Sequence, residues 1–296
     1  MEIAVTLAGL SQAFTYVIVG IFFIWLVKRV DDWRTKEFDD DVHIDDGNVA
    51  VGLRRAGLYL GIAIALTGAM GGSSKGFFLD LIQLLVDGLI ITGFMFSSRS
   101  INDFVMLGNI NNDKECVKEI SLPDGSKVVG NTAVGMVEAG MYIATGFILN
   151  GSISGTGGTF FQGIASTILF FILGQMTLLV FGFLYELITP FNVRNEIKDN
   201  NLAAGIGLGS ILIAMGIILR SSISGPFKGW ANDLFSFGIY AVFGIVMLLI
   251  FRAVVDRLLL PTTNIATEVK EDRNVAALIV VASAINAVAI IIASSM

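Results

Sequence analysis

Three ionisable residues lie inside long apolar stretches of this chain, where a charge is costly: Arg55, Asp87 and Glu138. Such residues mark ion or proton pathways, or buried ion pairs, when a helix crosses a bilayer. Arg55 follows Asn48 by seven residues, and Glu138 follows Asn131 by the same number, so a base and an acid occupy matching positions. We therefore expect Arg55 and Glu138 to form an ion pair across a pseudo-twofold axis.

Two other interpretations of these residues stay open. Asp87 lies ten residues beyond Phe77, about 15 Å along a helix, which places it near the middle of a membrane. Asp87, Glu138 and Arg55 could then line a polar path for a cation or proton, with Gln175 and Asn286 as weaker candidates. Alternatively, Arg55 extends its guanidinium group to the lipid interface.

The elements that position these residues begin with a repeated phrase of asparagine, a small or apolar residue, and alanine. The phrase starts at Asn48, Asn131, Asn201 and Asn274. Each copy follows a polar stretch and opens an apolar run. Asparagine is a strong N-cap, since its side chain accepts hydrogen bonds from the first turn of a helix. We predict that all four asparagines cap helices.

The apolar runs are long enough to cross a bilayer, which requires roughly 20 residues. Eight segments qualify: 7–27, 52–70, 77–98, 132–149, 160–187, 202–219, 234–255 and 275–295. They form four tandem hairpins, each with a helix running inward, a polar linker, the asparagine phrase and a helix running outward. The predicted fold is an all-α polytopic membrane protein with eight transmembrane helices.

Composition and charge agree with a lipid environment. The chain is 54% hydrophobic and 15% charged, whereas soluble domains carry roughly 25% charged residues. The net charge of −6 argues against a nucleic-acid partner. Sixteen of the 19 Lys and Arg residues lie on the side of the linkers. This bias predicts cytoplasmic linkers, with both termini outside the cytoplasm.

The outward helices share small residues at nine and thirteen positions after each asparagine. These pairs are Gly57/Gly61, Gly140/Ala144, Ser210/Ala214 and Ser283/Ala287. Small residues at this spacing allow helix backbones to approach closely in lipid. We expect the four outward helices to form a close-packed centre and the bulkier inward helices to lie around it.

The linkers differ from one another. Residues 37–46 are rich in aspartate and predict a solvated acidic loop, because the spacing does not fit a calcium loop. The linker at 111–130 predicts a small β-hairpin around Pro123-Asp124-Gly125. Residues 71–76 are glycine-rich and predict a turn.

Signatures of catalysis are weak. The only histidine, His43, and the only cysteine, Cys116, lie in different linkers, and zinc-binding or nucleophile-elbow motifs are absent from the sequence. We expect neither an enzyme nor a bound cofactor or metal.

The third hairpin resembles a known family. Its linker reads Leu187-Ile188-Thr189-Pro190-Phe191-Asn192, then Glu196-Ile197-Lys198, then Asn200-Asn201-Leu202-Ala203-Ala204-Gly205. This is similar to the YjfL-type family of bacterial inner-membrane proteins, a domain of unknown function built of two such hairpins. The resemblance implies one family domain at residues 151–296 and a diverged copy at 1–150.

Two classes of function fit this picture. The first is a structural or interaction component of an envelope process, with a protein partner bound through linkers 31–47 or 111–130 and possible homo-oligomers. The alternative is an ion or small-solute channel or transporter that uses Asp87, Glu138 and Arg55.

Overall fold

The computed structural model describes residues 2–35, 38–71, 74, 76–108, 110–121, 127–155, 160–260 and 263–296. Within these ranges, eight helices are long and apolar enough to cross a membrane, which confirms the predicted fold class. The long helices are α1 (Glu2–Arg34), α3 (Val49–Met70), α4 (Phe77–Ile101), α6 (Thr132–Ile153), α7 (Phe160–Ile188), α9 (Leu202–Ile223), α10 (Trp230–Leu259) and α12 (Val275–Ser294). A π-helical turn, Asn102–Met106, continues α4.

Each linker also contains a six-residue helix, which the sequence did not predict. These are α2 (Asp40–Asp45), α5 (Asn112–Val117), α8 (Val193–Lys198) and α11 (Ile265–Lys270). Each begins at its own polar cap, and these caps are Asp39, Asn111, Asn192 and Asn264. The signal was present in the sequence, since an Asp or Asn precedes Asn48, Asn201 and Asn274 by nine or ten residues.

The second linker adds a short antiparallel pair, β1 (Glu119–Ser121) and β2 (Lys127–Val129), with Ile120 opposite Val128. The strands of the predicted hairpin are therefore present. Its turn at 122–126 lies outside the described residues, as do Gly72, Ser73 and Lys75 of the predicted turn at 71–76.

The centre of the molecule is a row of the four outward helices in chain order: α3, α6, α9, α12. Their backbones nearly touch. A Cβ atom on Gly57 would lie 2.3 Å from the Cα of Ala139, and one on Gly140 would lie 2.6 Å from the Cα of Gly209. Only glycine permits such an approach, so the small residues of the first three outward helices position the row.

The fourth outward helix differs from this expectation. Ser283 and Ala287 of α12 are exposed, because α12 is the end of the row and its small-residue pair faces away from α9. In the most apolar stretch of each helix, 83% of α9 is buried but only 28% of α12.

The inward helices lie around the row, and three of the four bridge two of its members. Helix α4 contacts α3 and α6, α7 contacts α6 and α9, and α10 contacts α9 and α12, while α1 packs on α3 and α4. This arrangement brings the ends of α1 and α4 beside the linkers of the first half.

Candidate functional site

A buried ion network occupies the linker end of the first half. Three arginines form its centre: Arg54 and Arg55 near the start of α3, and Arg99 near the end of α4. Their exposed fractions are at most 3%. The antiparallel packing of α3 on α4 brings these arginines together. The sequence analysis selected only Arg55, although two adjacent arginines inside an apolar helix are themselves a signal.

The acidic linker helix α2 docks on this centre through Asp40. One Asp40 oxygen accepts a hydrogen bond from Arg54 Nη2 at 2.7 Å, and the other accepts from Arg55 Nη2 at 2.5 Å. Burial by itself raises the pKa of Asp40, but the charges of Arg54 and Arg55 outweigh burial and hold that pKa below its usual range. The predicted solvated loop is therefore wrong at Asp40, which is 2% exposed; ion pairing fixes this part of the linker.

Two further aspartates complete the network from different elements. Asp31 of α1 accepts from Arg99 Nη1 at 2.7 Å. Asp113 of α5 accepts from Arg54 Nη1 at 2.9 Å and also from Arg99. The arginines thus connect α1, α2, α3, α4 and α5 through charge pairs, which are buried at Asp31 and Asp40 and partly exposed at Asp113.

Glu138 of α6 borders this network but does not pair with Arg55. Its carboxylate accepts from Asn112 Nδ2 at 3.4 Å and from the Cys116 thiol at 3.7 Å. Arg55 instead forms its ion pairs with Asp31, Asp32 and Asp40. The predicted Arg55–Glu138 pair is therefore not formed, because α2 supplies a nearer acid that lies outside the repeat comparison.

Cys116 is a hydrogen-bond donor in this site. Its side chain is fully buried. Burial, with the nearby Glu138 carboxylate, raises the pKa of the Cys116 thiol well above its usual range. The reactive form of cysteine is the thiolate, so this thiol remains protonated and donates to Glu138.

Asp87 lies in a different place, on the wall of an open cavity of about 890 Å³ at the end of the bundle away from the linkers. The cavity is lined by the last turns of α3, α6 and α9 and the first turns of α4, α7 and α10. Gln83 donates to Asp87 at 2.9 Å.

The depth of Asp87 follows from packing. Met95 of α4 packs against Gly61 of α3. The two helices are antiparallel, and Asp87 precedes Met95 by eight residues. Asp87 therefore lies level with the residue eight positions after Gly61, which is Ala69 in the last turn of α3. Glu138 is next to Ala139, which packs against Gly57. At helical rise, Asp87 and Glu138 are separated by about 18 Å along the bundle axis.

Buried apolar side chains fill that interval. They include Leu58, Ile62, Leu66, Ile91 and Met95. The void beside Glu138, lined by Arg99, Asn102, Met141 and Tyr142, is too small to hold a water molecule. Gln175, a second-rank candidate, donates to Thr145 at 3.0 Å, and Asn286 donates to a carbonyl of its own helix. In the described residues, Arg55, Asp87 and Glu138 thus do not line one continuous polar path.

The four repeated asparagines cap α3, α6, α9 and α12. The side-chain oxygens of Asn48, Asn131, Asn201 and Asn274 each accept from a backbone N–H of the first turn. Sequence reasoning missed their second role, which uses the side-chain nitrogen.

That nitrogen joins one repeat to the next. Asn48 Nδ2 donates to the carbonyl of Cys116 at 2.8 Å, and Asn131 Nδ2 donates to that of Ile197 at 2.9 Å. Asn201 Nδ2 donates to that of Val269 at 2.7 Å. Each of the first three caps therefore fixes the linker helix of the following repeat.

Comparison with known proteins agrees with this repeat structure. A family described as Domain of Unknown Function (DUF350) matches the chain twice, over residues 5–153 and 159–296. A UPF0719 transmembrane protein of Aquifex aeolicus (strain VF5) is 24% identical over 270 residues, which cover 90% of this chain and 94% of the relative. No solved structure matches the chain. These matches confirm two tandem copies of a domain of unknown function in a transmembrane protein.

Proposed function

The chain belongs to the DUF350 family, in two tandem copies, and we propose that it is a non-catalytic membrane scaffold that presents its linkers to a protein partner. The observation that carries this proposal is the fixation of the linkers. Three linker helices are held by the cap asparagine of the preceding repeat, and α2 is held by the buried arginines. Such fixation stabilises a surface in one conformation, as a binding platform requires.

The packing of the helices supports a scaffold rather than a channel or transporter. The central row is joined backbone to backbone at its glycines. About 18 Å of closely packed, mostly apolar side chains separates the carboxylates of Asp87 and Glu138. The buried polar groups near the linkers bind one another across elements, as structural groups do.

The surface of α2 indicates the chemistry of the partner. Val42 is 54% exposed although it lies outside the long apolar helices, and Asp45 and Asp46 beside it are exposed. A surface that combines acidic and apolar side chains is complementary to a segment with basic and apolar side chains. We propose that the partner binds α2 with such a segment.

The membrane side follows from charge. The excess of Lys and Arg on the linker side supports cytoplasmic linkers, with both termini outside the cytoplasm of a bacterium. The partner segment is then cytoplasmic or close to the inner face of the membrane.

Photo-crosslinking in cells tests the scaffold. A photoreactive residue at Val42 is expected to form an adduct with a discrete second protein, and Asp45→Lys in the same chain should reduce that adduct at least fivefold. Asp272→Lys, at an exposed position of another linker, is the matched charge control and should leave the adduct intact. The same photoreactive residue at the exposed position Val180 of α7 reports background.

An adduct at Val42 that matches the Val180 pattern, or that survives Asp45→Lys, contradicts the proposal.

The second candidate is a channel or transporter, which the open cavity lined by Asp87 favours. Ion flux by the purified protein in liposomes, lost in Asp87→Asn or Glu138→Gln, would establish transport instead.

A further inference from the structure

We propose that copies of this chain assemble head to tail, with α12 of one copy packed against α3 of the next, so that the central row continues from copy to copy. The two ends of the row carry the same contact surfaces that the chain joins internally three times. The occupant of each end is therefore a second copy.

The internal contact is the same at successive joints when positions are counted from the capping asparagine. At the first joint, Gly135 of α6 meets Ala50 of α3, and Ala139 meets Gly57. We number each position by how many residues it follows the capping asparagine. Positions 4 and 8 of the later helix therefore contact positions 2 and 9 of the earlier helix.

The second joint uses the equivalent residues. Gly205 of α9 meets Ala133 of α6, and Gly209 meets Gly140. We call positions 2, 9, 13 and 20 of a helix its forward face, since they meet the next repeat. Positions 4, 8, 15 and 19 are its rear face.

The forward face of α12 is unoccupied by any described residue of the chain. It consists of Ala276, Ser283, Ala287 and Ser294, all exposed. The forward face of α9 has the same residue types in the same order: Ala203, Ser210, Ala214 and Ser221. That face is covered by α12, and Ser221 donates to the carbonyl of Ala293 at 2.6 Å. The exposed face of α12 is thus a repeat of a surface that binds a helix.

The rear face of α3 is its counterpart. It consists of Gly52, Ala56, Ala63 and Thr67, which are exposed or half-buried; the hydroxyl of Thr67 also accepts a hydrogen bond from Asn150 of α6 at 2.8 Å. The rear face of α6, which packs on α3, is Gly135, Ala139, Gly146 and Asn150. Both sets are glycine, alanine, a second small residue and a polar residue. Other exposed surfaces carry bulky side chains such as Phe14, Phe183 and Phe235, as a lipid-facing surface does.

The linkers give an independent indication. The fifth residue after each linker cap is Ile44, Cys116, Ile197 or Val269. The last three are fully buried, and their carbonyls accept from the asparagine of the preceding repeat. Ile44, which is not covered by a preceding repeat among the described residues, is 38% exposed. In the proposed assembly, Asn274 of one copy donates to the carbonyl of Ile44 of the next.

Disulfide crosslinking tests this contact, in a Cys116→Ser background that retains a donor for Glu138. Position 9 of α12 should face position 8 of α3 in the next copy, as Gly57 faces Ala139. The pair Ser283→Cys with Ala56→Cys should therefore form intermolecular disulfides in membranes. Because the contact is heterologous, both residues in one chain should give a ladder that extends beyond the dimer.

The controls use the same two helices. Ser283→Cys with Thr67→Cys places the thiols about 15 Å apart along the parallel helices, beyond the reach of a disulfide, and should not crosslink. Each single cysteine should also remain monomeric. A crosslink with Ser283→Cys alone would indicate a symmetric dimer and overturn the proposal. So would the absence of a crosslink in the Ser283/Ala56 pair when both thiols react with maleimide after denaturation, since the cysteines would then be reduced and available but not in contact.

Co-purification of two differently tagged copies gives a second measurement. Ala56→Trp adds bulk at an exposed position of the rear face, so the monomer should fold while co-purification falls at least tenfold. Val180→Trp is the matched control, because Val180 is exposed on α7, which lies away from both ends of the row. This substitution should not reduce co-purification. Equal co-purification of both variants would overturn the proposal.

Discussion

Replacement of Asn131 with alanine separates the two roles of the repeated asparagines. Asn131 caps α6 through its side-chain oxygen and, 66 residues away, donates to the carbonyl of Ile197 in α8. Loss of an N-cap costs about 1 kcal/mol. Loss of the amide–carbonyl hydrogen bond costs about 1 kcal/mol more. We therefore expect Asn131→Ala to lower the free energy of unfolding by about 2 kcal/mol, half of it located in the following linker.

Hydrogen exchange in nanodiscs measures the local part. A loss of about 1 kcal/mol corresponds to roughly fivefold faster exchange of the α8 amides, provided that α8 opens locally. Asn274→Ala is the control, because it removes a cap from α12 while its side-chain nitrogen bonds only Glu268 of its own linker among the described residues. The reasoning is refuted if α8 exchanges at the wild-type rate in Asn131→Ala while the first turn of α6 exchanges faster, since the asparagine would then be a cap alone.

Three further outcomes follow from the same structure. Arg54→Ala should destabilise the protein by about 3–5 kcal/mol because it breaks the fully buried ion pair with Asp40 and leaves one oxygen of that carboxylate without its donor, whereas loss of the exposed pair in Lys118→Ala should cost less than about 1 kcal/mol; chemical unfolding measures both. The lowered pKa of Asp40 means that its stabilising contribution is present above its unfolded pKa, near 3.9, and is lost as pH falls through the folded pKa. The stability difference between wild type and Asp40→Asn should therefore shrink in acid titrations below about pH 4. Gly135→Val, whose side chain would meet the backbone of Ala50, should cost about 1–3 kcal/mol or prevent folding, while Gly93→Val, with open space around it, should be tolerated; thermal stability in detergent compares the two.

The sequence was sufficient for the membrane helices and their repeat because both depend on local pattern. Apolar length predicts a span wherever it occurs, and the asparagine phrase sets its start. The ion network was predicted only in part. Its acids are Asp31 and Asp32 of α1, Asp40 of α2 and Asp113 of α5. All of them lie outside the four outward helices, so a comparison of positions along those helices could pair Arg55 only with Glu138. The packing level of Asp87, beside the last turn of α3, was not predicted because α4 extends beyond the end of α3, and helix overhang is a tertiary property.

The linker helices of the two halves pack against the long helices through different types of residue. The residue after each linker cap is buried in all four repeats, and it is polar in the first half (Asp40, Asn112) but apolar in the second (Val193, Ile265). The helix position that Arg55 and Glu138 occupy is likewise Leu208 and Val281 in the second half.

Apolar residues of similar volume can replace a buried ion pair without loss of stability, and the second half is such a replacement within one chain. Docking alone therefore does not require the charges. An aspartate such as Asp40 would lack a partner at the equivalent sites of the second half. The residues equivalent to Arg54 and Arg55 are Gly207 and Leu208 in α9, and Val280 and Val281 in α12. A buried charge left unpaired in this way is strongly destabilising.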